Sequence, residues 1–190
     1  MEHYKDAVTP ERILARKLDT SKMKKAPKIT KGIKSEKDKS KVAFFVGQRP
    51  SGLGGYDEST IQIKNVKDAL KKEINKAIKG GVTTFVVGGA LGSDIYAAEA
   101  VIEARAKDKK IKLVVAIPFK DFASKWQPGP QDRFIDIIEA ADESYIVTKG
   151  KYEKWKYDAR NEWMAGVSGK VIAVWGGKET DTAAGTLDFT

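Results

Sequence analysis

Val82-Thr83-Thr84-Phe85-Val86-Val87-Gly88-Gly89-Ala90-Leu91-Gly92-Ser93-Asp94-Ile95-Tyr96-Ala97-Ala98-Glu99 is the stretch that decides the fold. Its first six residues are apolar or β-branched, the composition of a buried strand. Beyond the glycines, Ile95, Ala98 and Ile102 recur at helical spacing. The chain therefore runs strand, glycine turn, helix. Such a passage leaves backbone N–H groups at the positive end of a helix, a site for phosphate or another anion. Glycines let a ligand approach the backbone closely. Without a ligand the same residues make a tight turn and nothing more. Polar or glycine signals at four other strand ends favour the ligand.

Outward from this stretch the pattern repeats. Val42-Ala43-Phe44-Phe45-Val46 reads as a central strand and ends in Gly47-Gln48-Arg49-Pro50. Val66, Leu70, Ile74 and Ile78 then mark one face of a helix that Gly80-Gly81 stops. Ile111–Ile117 is a third strand, ending at Pro118-Phe119-Lys120, and Phe134, Ile138 and Ala141 mark the next helix. Ser144–Thr148 is a fourth strand. Trp155, Ala159, Trp163 and Val167 lie four apart on another helix whose face is expected to pack inward, and Val171–Trp175 is the fifth strand. Alternating strands and helices imply right-handed crossovers and a parallel sheet covered on both faces. The expected fold is α/β: a Rossmann-like parallel sheet of about five strands, plus a basic N-terminal extension. In such folds ligands sit outside the carboxyl ends of the strands.

Charge divides the chain. Of its 35 Lys and Arg and 26 Asp and Glu, residues 1–41 hold 13 and 6. The body, residues 42–190, is nearly neutral and the extension is basic. Thr9-Pro10-Glu11 reads as the start of a short helix, and Ser21–Lys41 as a Lys-rich linker. A basic extension is either a solvated arm or a contact for nucleic acid or an acidic partner. Cysteine is absent and the single histidine is His3, which argues against disulfides, a histidine metal site and a Ser-His-Asp triad. No metal or required cofactor is expected. The chain shows no secretory signal or membrane span, so a cytoplasmic home is expected.

Gly47-x-Arg49-Pro50, Gly88-Gly89-Ala90-Leu91-Gly92-x-Asp94-x-x-Ala97-Ala98-Glu99, Pro118-Phe119, Trp126, Tyr157-x-x-Arg160-Asn161 and Ile172-Ala173-Val174-Trp175 together resemble the YpsA-like branch of the SLOG superfamily. That superfamily also includes DprA-type proteins and the Lonely Guy phosphoribohydrolases. The resemblance covers most of residues 42–187 and implies a Rossmann-like nucleotide-binding fold. It implies that the Gly88–Gly92 loop contacts a phosphate or ribose and that Gly185-Thr186 forms a second phosphate cradle. Homodimers are common among such relatives. The Lonely Guy motif places a catalytic glutamate three residues after its Gly-Thr, which here is Phe189. Asp188 stands one residue early, a turn of about 100° on a helix.

The candidate ligand-binding set is Gly47, Gln48 and Arg49 after the first strand, and Gly88, Gly89, Ala90, Gly92, Ser93 and Asp94 after the second. Pro118 and Trp126 follow the third, Arg160 and Asn161 ride the penultimate helix, and Gly176, Gly177, Gly185 and Thr186 follow the last strand. Arg49 suits a phosphate, which a guanidinium grips with two parallel hydrogen bonds. Asp94 suits either a helix cap or a ribose hydroxyl. Trp126 suits base stacking or an empty lid, and Trp155, Trp163 and Trp175 suit the core. Glu99 and Asp188 are weak candidates for a catalytic acid or base. The leading expectation is binding of a small nucleotide or nucleotide-derived ligand for sensing or sequestration. The alternatives are N-glycosidic hydrolysis of a nucleoside phosphate and nucleic-acid binding through the basic tail.

Overall fold

Six strands form one sheet in the computed structural model, which describes residue 16 and residues 18–174. The Thr9–Glu11 helix start, Gly176, Gly177, Gly185, Thr186, Asp188 and Trp175 lie outside the described residues. The strands are β1 (Lys24–Lys25), β2 (Val42–Gly47), β3 (Thr84–Val87), β4 (Lys112–Ile117), β5 (Glu143–Ile146) and β6 (Lys170–Val174). Four helices join them: α1 (Ile61–Lys79), α2 (Ser93–Lys107), α3 (Pro128–Ala140) and α4 (Trp155–Val167). Every pairing is parallel and the order across the sheet is β1-β5-β4-β3-β2-β6. The body steps outward from β2 to β5, then returns through α4 to lay β6 on the other side of β2. That reversal is the topological switch point of a Rossmann-like fold, which lies at the carboxyl end of β2, where proteins of this fold carry their ligand crevices.

The period of two along each strand sorts the core. Ala43, Phe45, Phe85, Val87, Leu113 and Val115 face α1, α2 and α3. Val42, Phe44, Val46, Val86, Val114 and Ala116 face the opposite way, toward Trp163, Met164 and Val167 of α4. Helix α1 stops as Gly80-Gly81 suggests. Gly81 N–H bonds the Ile78 carbonyl and Val82 N–H the Ala77 carbonyl, so Val82 closes the helix and β3 starts at Thr84 rather than Val82.

The linker expected over Ser21–Lys41 is instead a strap built into the fold. Its β1 pairs with β5 and supplies the sixth strand. Ala26 N–H continues that pairing to the Ile146 carbonyl at 3.0 Å. Ile33 is fully buried against the α4 side of the sheet, and Met23 is buried against the other core. Trp163 Nε1 donates to the Pro27 carbonyl at 2.7 Å, and Ile29 lies against Gly166, where an added Cβ would be 2.6 Å from Ile29 Cδ1. Glu143 accepts the backbone N–H groups of Lys34 and Ser35. Two buried apolar residues ten apart are easily lost among lysines in a composition-based reading. Ile33 helps cover the sheet face on which α4 packs, and Met23 adds to the core on the opposite face.

Candidate functional site

Three loops that leave the carboxyl ends of strands, together with the first turn of α4, converge on one cleft of about 260 Å³. Arg49, Pro50, Ser51 and Tyr56 come from the β2–α1 connection, and Ala90 and Leu91 from the glycine turn. Phe122 and Trp126 come from the β4–α3 connection, and Tyr157 from the first turn of α4. Its size falls just below the roughly 300 to 1,000 Å³ typical of ligand pockets.

Among the described residues, the only charged side chain on the wall is that of Arg49. It is exposed, and among the described residues it makes no ion pair or hydrogen bond. Its guanidinium lies over the Tyr157 ring, 5.4 Å from the centroid. Stacking of this kind holds the cation in place and leaves its N–H fork free for an anion. The opposite wall is aromatic. Trp126 packs on Phe122 and Phe134 with centroids 5.2 and 5.3 Å away, so it belongs to a fixed cluster and keeps part of its surface open.

Behind the wall lies a buried polar layer that shapes the glycine turn. Ser93 N–H and Oγ both donate to the Gln48 carbonyl, at 3.2 and 2.7 Å, tying the start of α2 to the end of β2. Gly92, at φ +96°, brings the turn against that carbonyl: an added Cβ would sit 2.7 Å from it. Gly47 is needed for the same junction, since a Cβ there would meet the Ser93 side chain. Asp94 Oδ2 accepts the Ala90 N–H at 3.1 Å. Arg160 donates to the Gly88 carbonyl and, through Nε at 2.9 Å, to Asn161 Oδ1. A Cβ at Gly88 would sit 2.5 Å from Arg160 Cζ and 2.9 Å from Asp94 Oδ2. Burial pushes the Asp94 carboxyl up and the Arg160 guanidinium down from their ordinary values, and each opposes the shift of the other.

The candidate residues therefore divide. Arg49, Ala90 and Trp126 line the cleft. Gly47, Gln48, Gly88, Gly92, Ser93, Asp94, Arg160 and Asn161 form the layer beneath it, with Asp94 7% and Arg160 5% exposed. Gly89 backs onto the Phe134 ring, and Pro118 is buried with its carbonyl held by Thr148. Trp163 is in the core as expected, but Trp155 is 53% exposed. It opens α4, where its indole N–H caps Glu153 instead of packing inward. Tyr56, Phe122 and Tyr157 line the cleft without having been singled out as ligand contacts. For Tyr157 the signal was present, because a residue three before Arg160 shares its helix face.

Glu99 lies away from the cleft. Arg133 grips it through Nη2 at 2.7 Å and through Nε, while also bonding Glu58, which Lys67 holds from the other side. Partial burial would lower the Arg133 guanidinium, but Glu99 and Glu58 outweigh it and hold it above its ordinary value. The network pins α3 to α2 and to the entry of α1. Among the described residues no group of His, Cys, Asp or Glu is placed to hold a metal ion, and no helix is long and apolar enough to cross a membrane.

A parallel sheet with its switch point at β2, and a glycine turn after the neighbouring β3, defines a Rossmann-like α/β protein. The family model YpsA, of the YspA SLOG family, matches residues 43–187, and the chain belongs to that family. It is 34% identical over 113 residues to a UPF0398 protein of Halalkalibacterium halodurans, a match covering 60% of each chain. It is 26% identical over 136 residues to a UPF0398 protein of Bacillus thuringiensis (strain Al Hakam), covering 71% of this chain and 74% of the relative. A UPF0398 protein of Bacillus cereus (strain AH187) matches to the same extent.

Proposed function

We propose that the cleft binds a small nucleotide or nucleotide-derived ligand, for sensing or sequestration. The observation that carries this is Arg49: an exposed guanidinium, stacked on Tyr157 and unpaired among the described residues, at the mouth of an aromatic-walled cleft. Its N–H fork suits a phosphate, and the open surface of Trp126 and Tyr56 suits a base. SLOG membership points to nucleotide-related ligands and supports the same reading. Asp94 and Arg160 then act by holding the turn rather than by touching the ligand. Hydrolysis is the weaker alternative, since Glu99 would first have to leave Arg133. The proposal places the protein in the cytoplasm, where such ligands are made, and as a dimer, which sedimentation tests directly.

The test is a thermal-shift and calorimetric screen against mononucleotides, dinucleotides, cyclic nucleotides and ADP-ribose derivatives. A ligand at a hundred times its Kd stabilises by about 2.7 kcal/mol. Arg49→Ala is expected to abolish the shift and leave the ligand-free melting temperature within about 2 °C, because exposed substitutions cost little. A flat screen with wild-type protein, or a hit that Arg49→Ala does not weaken, overturns the proposal.

A further inference from the structure

We propose that the rim beside the cleft, from β1 across the β5–α4 loop, binds single-stranded nucleic acid. This stands on different residues from the nucleotide reading and does not depend on it. The β5–α4 loop carries Lys149, Lys151 and Lys154, each exposed and with no ion pair among the described residues. The loop's one acid, Glu153, is engaged by the buried ammonium of Lys156 at 3.1 Å. Lys156 Nζ also donates to the carbonyls of Lys149 (2.7 Å) and Lys151. A single buried lysine thus staples the loop from beneath and neutralises its acid, leaving three cations uncompensated on a fixed backbone. Lys24 and Lys25, both exposed, extend the arc along β1, which pairs with Tyr145–Ile146 just before the loop.

Aromatic faces interleave with these cations. Tyr152 is 64% and Trp155 53% exposed. None hangs free on the loop side. Tyr152 packs edge-on against Phe119 and Tyr157, at 5.9 and 6.2 Å. Trp155 Nε1 donates to Glu153 at 2.9 Å, and Lys156 Nζ lies 5.6 Å from its ring centroid. Held aromatic rings beside unpaired cations are what a single strand requires. Its phosphates meet the lysines and its unpaired bases stack on the rings. A duplex keeps its bases stacked inside and offers the rings nothing.

The test is fluorescence anisotropy of a labelled single strand of about 12 nucleotides, within the span one small domain covers. The matching duplex is measured in parallel, and the full chain is used from roughly 50 to 200 mM salt. Tryptophan fluorescence is followed alongside. The single strand is expected to bind more tightly than the duplex and to quench Trp155. Tyr152→Ala and Trp155→Ala are each expected to weaken binding about 5- to 100-fold. Lys149→Ala/Lys151→Ala/Lys154→Ala should lower the slope of log K against log salt by about 2, at roughly 0.7 per phosphate contact on a single strand. Lys64→Ala/Lys72→Ala/Lys79→Ala on α1 removes the same charge from a distant face and should bind as wild type. The proposal is overturned by no binding, by equal affinity for duplex, by unchanged binding in the rim triple variant, or by equal loss in the α1 control. None of these outcomes bears on Arg49, whose mononucleotide affinity is read separately.

Discussion

Gly88→Ala adds one methyl group at the most crowded point beneath the cleft. Gly88 does not adopt a left-handed φ, so its backbone would accept alanine. What forbids it is Arg160, whose guanidinium carbon lies 2.5 Å from where the Cβ would stand, with Asp94 Oδ2 at 2.9 Å. Both side chains are buried, so neither has room to swing aside. Overpacking of a dense core costs about 1–3 kcal/mol. Pushing Arg160 from the Gly88 carbonyl also forfeits a hydrogen bond from a charged donor, about 1.5–3 kcal/mol. Since the two overlap, the expected loss is about 2–5 kcal/mol, or roughly 4–20 °C at the 2–4 °C per kcal/mol typical of chains this long. Thermal and urea unfolding measure it. A double-mutant cycle isolates the cause. With Arg160→Ala already in place the nearer obstacle is gone and only Asp94 remains, so Gly88→Ala should cost at least about 1 kcal/mol less than in wild type. Equal cost in both backgrounds, or a wild-type loss under about 1 kcal/mol, refutes the argument that Arg160 is what keeps position 88 a glycine.

Ile33→Ala should cost about 2–5 kcal/mol in urea unfolding, as for other fully buried isoleucines, because the strap completes the core rather than trailing from it. A loss under about 0.5 kcal/mol would mean the strap is dispensable. Asp142 accepts the Leu113 N–H at 2.9 Å and pairs with Arg105 at 2.6 Å and Lys112 at 3.2 Å. Partial burial would raise its carboxyl, but these three donors prevail and hold it below the usual range. Its stabilisation is therefore full above the unfolded pKa, near 3.9, and fades as pH falls through the lower folded value. Asp142→Asn should lower stability by about 1–3 kcal/mol at pH 7 and flatten the fall of melting temperature below about pH 4. An unchanged acid limb contradicts that assignment.

The body of the fold was readable because each level repeats the same message. The apolar runs ending at Val46, Val87 and Ile117 are buried on both faces, so no polar alternation blurs them. The spacing of Leu70 and Ile74, or of Trp163 and Val167, leaves one period to choose. The strap failed that reading for a physical reason. Its turns are short 3₁₀ segments with exposed lysines, held by single buried residues and by backbone bonds to Glu143 and Ile146. Contacts of that kind have no period. Within the site, strand ends gave the location of the loops, and Arg49 and Trp126 reached the cleft. Whether a polar residue on such a loop faces the ligand or supports the turn depends on burial, which spacing alone does not report. Asp94 and Arg160 are the cases in point.

Their burial changes what the site does on binding. A glycine turn with open donors would be free to close around an anion and would lose backbone freedom in doing so, at about 1–2 kcal/mol per residue fixed. Here Ser93 already holds the Gln48 carbonyl, Asp94 holds the Ala90 N–H, and Arg160 holds the Gly88 carbonyl. The turn has been ordered during folding, so the ligand proposed above would meet a preformed wall with the Arg49 guanidinium already stacked on Tyr157. The same arrangement ties ligand binding to the integrity of the core. Arg160 sits on α4, which packs against Ile33 of the strap through the shared α4-side core. Loosening the strap should therefore reach the glycine turn through α4 and Arg160, whereas removing Arg49 should empty the cleft and leave the core as it was.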